Sequence, residues 1–437
     1  MSDGPNNREC NKANDMPLRI SEAGNRLSTA TGIYELMDDL GHAMTGPGAG
    51  KMRMLGGGAP AAIPAAQEVW RRRLAELLAD PDQVDQVLGV YDAPAGSPAF
   101  RKSVADCFRR ELGWDITEQN VAVTAGGQAA FFQLFTLLGD ATQPIALPIS
   151  PEYIGYADQG TQPGLFRSHR PKIEEIGPHD FKYHVDFENL DLSGAGAVCV
   201  SRPTNPSGNV LSDHELARLT QLAKAEGCPL IVDNAYGQPF PGAIFTQASP
   251  PPWDHDTILV YSLSKLGLPG TRTGVVIASE EIARRVAAMT AVVGLANNNT
   301  GQAIVGPLLD SGEALTLSRD VIKPFYQERA KLAREILAEA FGDAFPYRVH
   351  LTEGAFFLWL WLPELPIGSR ELYERLKRRD VLVVPGDYFF YGLPEGDSSS
   401  NEWPHRRQCL RLTFSQSEQT VREALEIMAE ELRALHG

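Results

Sequence analysis

Between residues 120 and 280 the chain alternates short, wholly apolar runs with longer stretches of helical period. The runs are Val121–Val123, Pro144–Pro148, Ala197–Val200, Pro229–Val232, Ile258–Tyr261 and Val275–Ala278. Between them lie the apolar segment AAFFQLFTLL from Ala129, a helix opened by Ser150–Tyr153, and a helix from a Ser212 cap to about Glu226. A run that is apolar throughout, without alternation, reads as a strand covered on both faces. Strands alternating with helices predict an α/β fold with a mostly parallel, doubly covered sheet. Ligands in such sheets sit beyond the carboxyl ends of the strands. Here each strand end is followed by polar or glycine residues: Gly126, Gly127 and Gln128, then Tyr153, Asn205, Asp233, and finally Ser262 and Lys265. The topology predicts that these converge on one edge.

The flanks read differently. Upstream lie a short helix over Thr31–Gly41, a glycine turn at Gly56–Gly58, a helix over Gln67–Leu78, a turn at Tyr91–Gly96 and a helix over Pro98–Leu112. Downstream, helices over 280–293 and 300–309 precede a long one from about Leu315 to Phe341, which Pro324 is expected to kink. After that, strands at Ala355–Leu362, Val381–Val384 and Gln408–Phe414 enclose a helix at Arg370–Arg379, and an amphipathic helix ends the chain. The 437 residues are enough for two or three domains. A formal charge of −15 argues against a nucleic acid or an anionic membrane as partner. Five scattered cysteines without metal-ligand spacing predict reduced thiols. The polar first residues lack the apolar core of a signal peptide, and no apolar run reaches the ~20 residues of a membrane span. A cytoplasmic protein is expected. The nine histidines form no metal cluster, and His184 and His405 are expected on the surface or in loops.

A strand, a Gly-Gly turn and a helix N-terminus present free backbone N–H groups to an anion. The glycines at 126–127 fit neither a dinucleotide fingerprint nor a P-loop, so a single phosphate is the expected ligand. Lys265 stands between two apolar runs, with Ser262 and Ser264 just upstream and Arg272 seven residues on. That order suits a lysine bonded to an aldehyde cofactor whose phosphate the hydroxyls and guanidinium hold. Singly, Asp233 could be a turn cap, Asn205 a turn residue and Arg411 a salt-bridge partner. Together they accommodate a phosphorylated pyridine aldehyde. Asp233 pairs with the ring nitrogen, Asn205 and Tyr236 reach the phenolic oxygen, and Tyr153 lies on the ring. The backbone of Gly126–Gln128, with Ser262 and Arg272, holds the phosphate. Freed by substrate, Lys265 moves a proton.

In this order, YDAPAG at 91–96, AGGQ at 125–128, Tyr153, PTNPSG at 203–208, D-x-x-Y at 233–236, SLSKLGLPGTRTG at 262–274 and Arg411 in LRLTF resemble the fold-type-I pyridoxal phosphate enzymes, in particular the class I/II aminotransferases. The resemblance covers about residues 50 to 415. It implies a large domain at 67–315, a smaller α+β domain from 21–66 and 316–437, and a flexible arm at 1–20. It implies pyridoxal 5′-phosphate as cofactor, no metal, and Lys265, Asp233 and Tyr236 as catalytic residues. Arg411, Asn205 and the Gly58 amide are implied for the substrate α-carboxylate. Tyr91 is implied to reach the phosphate of a neighbouring subunit, hence a homodimer with shared sites. Many relatives carry Asn-Gly-Ser-Gln where this chain has AGGQ, so its phosphate leans more on backbone amides. The segment 391–404 is a longer loop than the pattern needs.

The implied substrates are an amino acid and a 2-oxo acid. No arginine beyond Arg411 and Arg272 stands out for a second carboxylate, so the side-chain pocket is expected to be neutral and apolar; the resemblance, through segments such as LGGGAPAAIP and SPEYIGYAD, is what implies valine, alanine and pyruvate as reactants. Such a pocket separates neighbouring aliphatic side chains by only ~1–3 kcal/mol. The alternatives on the same fold are a broad-specificity neutral or aromatic aminotransferase, a β-lyase, a decarboxylase or a ring-forming synthase, and, outside enzymes, a non-catalytic regulatory module.

Overall fold

The structure is a computed structural model that describes residues 19–29, 32–45, 50–394 and 403–436. Most of the expected arm, and the centre of the 391–404 loop, lie outside the described residues.

Fifteen short strands are found among them. They are β1 (Arg53–Met54), β2 (Val121–Thr124), β3 (Ile145–Leu147), β4 (Phe166–Ser168), β5 (Lys172–Ile176), β6 (Asp180–His184), β7 (Ala197–Ser201) and β8 (Leu230–Asp233). The remainder are β9 (Thr257–Ser262), β10 (Gly274–Ile277), β11 (Arg348–His350), β12 (Phe357–Trp361), β13 (Val381–Leu382), β14 (Val384–Pro385) and β15 (Cys409–Thr413). Seven form the main sheet, in the order β2-β10-β9-β8-β7-β3-β4. Every pairing is parallel except those of β10. Val198, Val200, Val232, Leu259 and Tyr261 face one apolar layer, with the helices Pro98–Leu112 and Asp213–Ala225. Ala197, Cys199, Ile231, Ile258 and Val260 face the other, with the helix Gly127–Leu138. The sheet is covered on both sides, as the unbroken apolar runs predict.

The reversed strand β10 matters for the site. Its first residue, Gly274, pairs with Ser262, the last of β9, and with Thr124, the last of β2. Arg272, two residues before β10, is thereby delivered to the edge where β2 and β9 end.

A second sheet has the order β14-β15-β12-β11-β6-β5. It joins the hairpin β5–β6 to strands more than 160 residues later, β6 pairing parallel with β11. The helices Lys323–Phe341 and Glu418–His436 contribute Ile336, Leu337, Leu425 and Met428 to its core. β1 pairs with β13 in a two-stranded ribbon.

Several local expectations are corrected. Ser150–Tyr153 opens no full helix, since one 3₁₀ turn, Ile154–Tyr156, follows it. The helix expected over 315–341 runs without interruption from Glu313 to Phe341, and a π-type turn at Ser318–Ile322 accommodates Pro324, whose missing N–H falls just after it. His405 is buried at 3% exposure among Trp361, Phe390 and Trp403.

Candidate active site

The turn after β2 is built around Gly126, at φ 89°. A Cβ there would stand 2.4 Å from Arg272 Nη2, so glycine lets the guanidinium close on the turn. The helix starts at Gly127, which leaves the amides of Gly127 and Gln128 in its first turn, free of intrahelical acceptors. Arg272, itself left-handed at φ 46°, directs Nη1 to Ser264 Oγ at 3.4 Å and to Pro269 O at 3.2 Å. Ser262 Oγ accepts from the Ser264 amide at 3.2 Å. These groups form an electropositive cradle around a glycine turn.

Asp233 ends β8 at 8% exposure. Its Oδ1 accepts from the Ala235 amide at 2.9 Å, so the turn-cap reading holds for one oxygen. Its Oδ2 accepts from the hydroxyl of Tyr156. Burial raises the carboxyl pKa above the ordinary value, while Tyr156, the Ala235 N–H and the charge of Lys265 pull it back. Beside it Glu152 is fully buried, accepting from Ser201 N at 2.8 Å, Ser201 Oγ at 2.6 Å and Tyr153 N at 3.1 Å. Burial, opposed by these donors and reinforced by the Asp233 charge, pushes Glu152 up to about 8. Of the two buried carboxyls, Glu152 is the one pushed furthest toward its protonated form.

Lys265 follows β9. Its Nζ donates to Gly58 O at 2.7 Å and stands 5.2 Å from the centre of the Tyr236 ring. Burial first, then the charge of Arg411, lowers its pKa to about 8; Asp233 opposes this and Arg272 adds to it. Tyr153 lies edge-on to Tyr156 at 5.2 Å. A Cβ on Gly155 would meet the Tyr153 ring at 2.3 Å, so this glycine is what lets the ring settle on the turn. Gln128 Nε2 donates to Gly155 O at 2.7 Å.

Arg411 lies mid-strand in β15 at 3% exposure. Nη1 donates to Asn205 Oδ1 at 2.8 Å and Nη2 to Gly56 O at 2.7 Å, with the Phe357 ring 4.4 Å from the guanidinium carbon. Burial draws its pKa down to about 10, which leaves it charged at neutral pH. The strap Gly56–Gly58 thus holds both cations through neutral carbonyls.

The structure brings Gly58, Gly126, Gly127, Gln128, Tyr153, Asn205, Asp233, Tyr236, Ser262, Lys265, Arg272 and Arg411 to one edge through these contacts. Tyr91 is not gathered with them: it is 80% exposed, on the segment after the helix Pro81–Gly89. Glu152 and Tyr156 were missed in the sequence. The second tyrosine of SPEYIGY, three residues after the first, was the available signal.

A buried carboxylate and a buried lysine at neighbouring strand ends, with an anion cradle and an arginine receptor beside them, define an aminotransferase of fold type I. Residues 59–428 match the family aminotransferase class I and II, and the chain belongs to it. It is 42% identical to the valine–pyruvate aminotransferase of Escherichia coli (strain K12) over 95% of this chain and 98% of that one. The crystal structure of valine-pyruvate aminotransferase from Salmonella typhimurium LT2 superposes with a TM-score of 0.84 at 43% identity, covering 93% of this chain and 99% of that one. An aspartate aminotransferase of Thermus thermophilus shares the fold alone, with TM-score 0.73 and 21% identity over 94% of this chain and 99% of that one. Aminotransferases act on amino acids and 2-oxo acids, and class I and II members depend on pyridoxal phosphate in general. No helix among the described residues is long and apolar enough to cross a membrane.

Proposed function

We propose that this chain moves the α-amino group between L-valine, or a similar neutral aliphatic amino acid, and pyruvate, giving 2-oxoisovalerate and L-alanine. The observation that carries this reading is the 42% identity to the Escherichia coli enzyme along 95% of the chain. Incubation with L-valine and pyruvate tests it. Appearance of alanine and 2-oxoisovalerate is expected; absence of both, or loss of a β-substituent or of carbon dioxide instead, refutes it.

Pyridoxal 5′-phosphate is the proposed cofactor, and the residues present fit it. Among the described residues the buried atoms Gln128 Oε1, Tyr236 Oη and Arg411 Nε have no hydrogen-bond partner, and a side chain at Gly126 would push the Arg272 guanidinium out of the cradle. The amides of Gly127 and Gln128, with Ser262, Ser264 and Arg272, would hold the phosphate, while the Gly126 amide donates to Thr124 O at 2.7 Å. Asp233 would pair with the ring nitrogen, Tyr153 would cover the ring face, and Asn205 and Tyr236 would meet the phenolic oxygen. When bound, the cofactor supplies an electron sink for the bond broken at the substrate Cα. Lys265, with a pKa about 8, is neutral in part of the population at neutral pH and can take or return the proton at Cα. Arg411, Asn205 and the Gly58 amide orient the α-carboxylate.

A homodimer and a cytoplasmic location are part of the proposal, with no nucleic acid or membrane partner. Leu88, Val90 and Tyr91 are exposed, as are Val292, Val293 and Leu295, and Asn299 Nδ2 ties the two segments by donating to Val90 O at 3.1 Å. One exposed apolar face carrying Tyr91 suits a subunit contact. The domains are proposed as 67–315 against 21–66 with 316–437, the hairpin β5–β6 crossing to the second sheet.

A further inference from the structure

We propose that Tyr156 is a positioning residue: its hydroxyl, donated to Asp233 Oδ2, keeps that carboxylate ionised and fixed, so that the grip on a protonated ring nitrogen depends on it. This rests on pyridoxal phosphate being the cofactor. Three observations support it. Tyr156 is fully buried, and its ring is boxed by Phe131, Phe135 and Tyr153 at centroid distances of 4.6, 5.1 and 5.2 Å, so the hydroxyl cannot swing away. Asp233 Oδ1 is occupied by the Ala235 amide, and among the described residues Tyr156 is the one side chain that donates to the carboxylate. The turn that carries Tyr156 also carries Tyr153, so one short segment sets both the ring face and the ring-nitrogen partner.

The groups that face Asp233 electrostatically are Lys265 from the β9–β10 loop, Glu152 and Tyr153 from the segment before the turn, Cys199 from β7, and Tyr236 beyond β8. Lys265 is the cation among them. It favours the ionised carboxylate by charge, whereas Tyr156 does so by a direct hydrogen bond, which burial strengthens.

The test is the affinity of the purified chain for pyridoxal 5′-phosphate, followed by the absorbance of the bound cofactor as a function of pH. Tyr156→Phe keeps the ring and removes the donor. The expected result is a dissociation constant raised about tenfold or more, as for loss of a hydrogen bond to a charged group. Without the donor Asp233 protonates more readily, so the pH below which affinity falls moves upward. Tyr156→His, which returns an N–H donor, recovers part of the affinity. In an Asp233→Ala background the acceptor is gone, and Tyr156→Phe should cost nothing further. An unchanged dissociation constant and pH limb in Tyr156→Phe, or the same loss repeated in the Asp233→Ala background, overturns the proposal. Failure of the unaltered chain to bind the cofactor would instead refute the cofactor reading.

Discussion

Two buried cations, Lys265 at the edge of the main sheet and Arg411 in the second, meet similar surroundings and come out chemically different. Each is held by a carbonyl of the same glycine strap, Gly58 O for the lysine and Gly56 O for the arginine. Burial lowers both pKa values, to about 8 and about 10. The lysine starts from 10.5, so the shift makes it a group that can exist in either form near neutral pH. The arginine starts from a far higher value and stays charged. The same desolvation thus leaves one cation able to release its proton near neutral pH and the other charged, one beside the main sheet and one in the second.

The comparison can be broken most directly at the lysine. Lys265→Ala is expected to lower kcat by ~10⁴-fold or more, and Lys265→Arg to lower it as far, because a fixed charge cannot shuttle a proton. Amino acid–pyruvate turnover measures both. Lys265→Arg with near-native turnover would show that charge, not titration, is what position 265 supplies. Arg411→Ala is expected to raise KM for every α-amino acid by about 10²–10³-fold with a smaller change in kcat, the loss expected when one partner of a buried charged pair is cut. Asn205→Ala removes the acceptor on Nη1, and roughly tenfold in KM is expected. The smallest effect is in pH. Uptake of the aldehyde by the apoprotein requires neutral amine. A lowered lysine pKa means that the reactive form grows as pH rises, half-maximal near pH 8 and about fivefold faster at pH 8 than at pH 7. Stopped-flow absorbance reads this; a rate still rising nearly tenfold between pH 8 and pH 9 would place the pKa at its ordinary value.

The legible part of this site is the part written locally. Asp233, Lys265 and the Gly126 turn each follow their own apolar run, and parallel strands carry every run's exit to one edge. Arg272 arrives there because β10 reverses, which its short apolar run does not reveal. The second sheet was less legible. The hairpin β5–β6 has the sequences KIEEI and DFKYH, mixed in polarity, and its partner β11 lies more than 160 residues on. Nothing local signals such a pairing. Val381–Val384 reads as one strand but divides, β13 pairing with β1 and β14 with β15. Tyr156 was only partly legible: SPEYIGY shows a second tyrosine three residues after the first, but that it points at Asp233 depends on the single 3₁₀ turn Ile154–Tyr156. Pro324 signals an irregularity inside a long helix, and the structure has a π-type turn directly before it; that the turn is of π type is not legible in the residues.

The central claim is that Lys265 is the amine that receives the aldehyde. Borohydride reduction of the chain loaded with pyridoxal 5′-phosphate, followed by peptide mass mapping, tests it at the residue. The phosphopyridoxyl label should fall on the peptide containing Lys265. A label confined to another lysine, with Lys265 unmodified, would contradict the account.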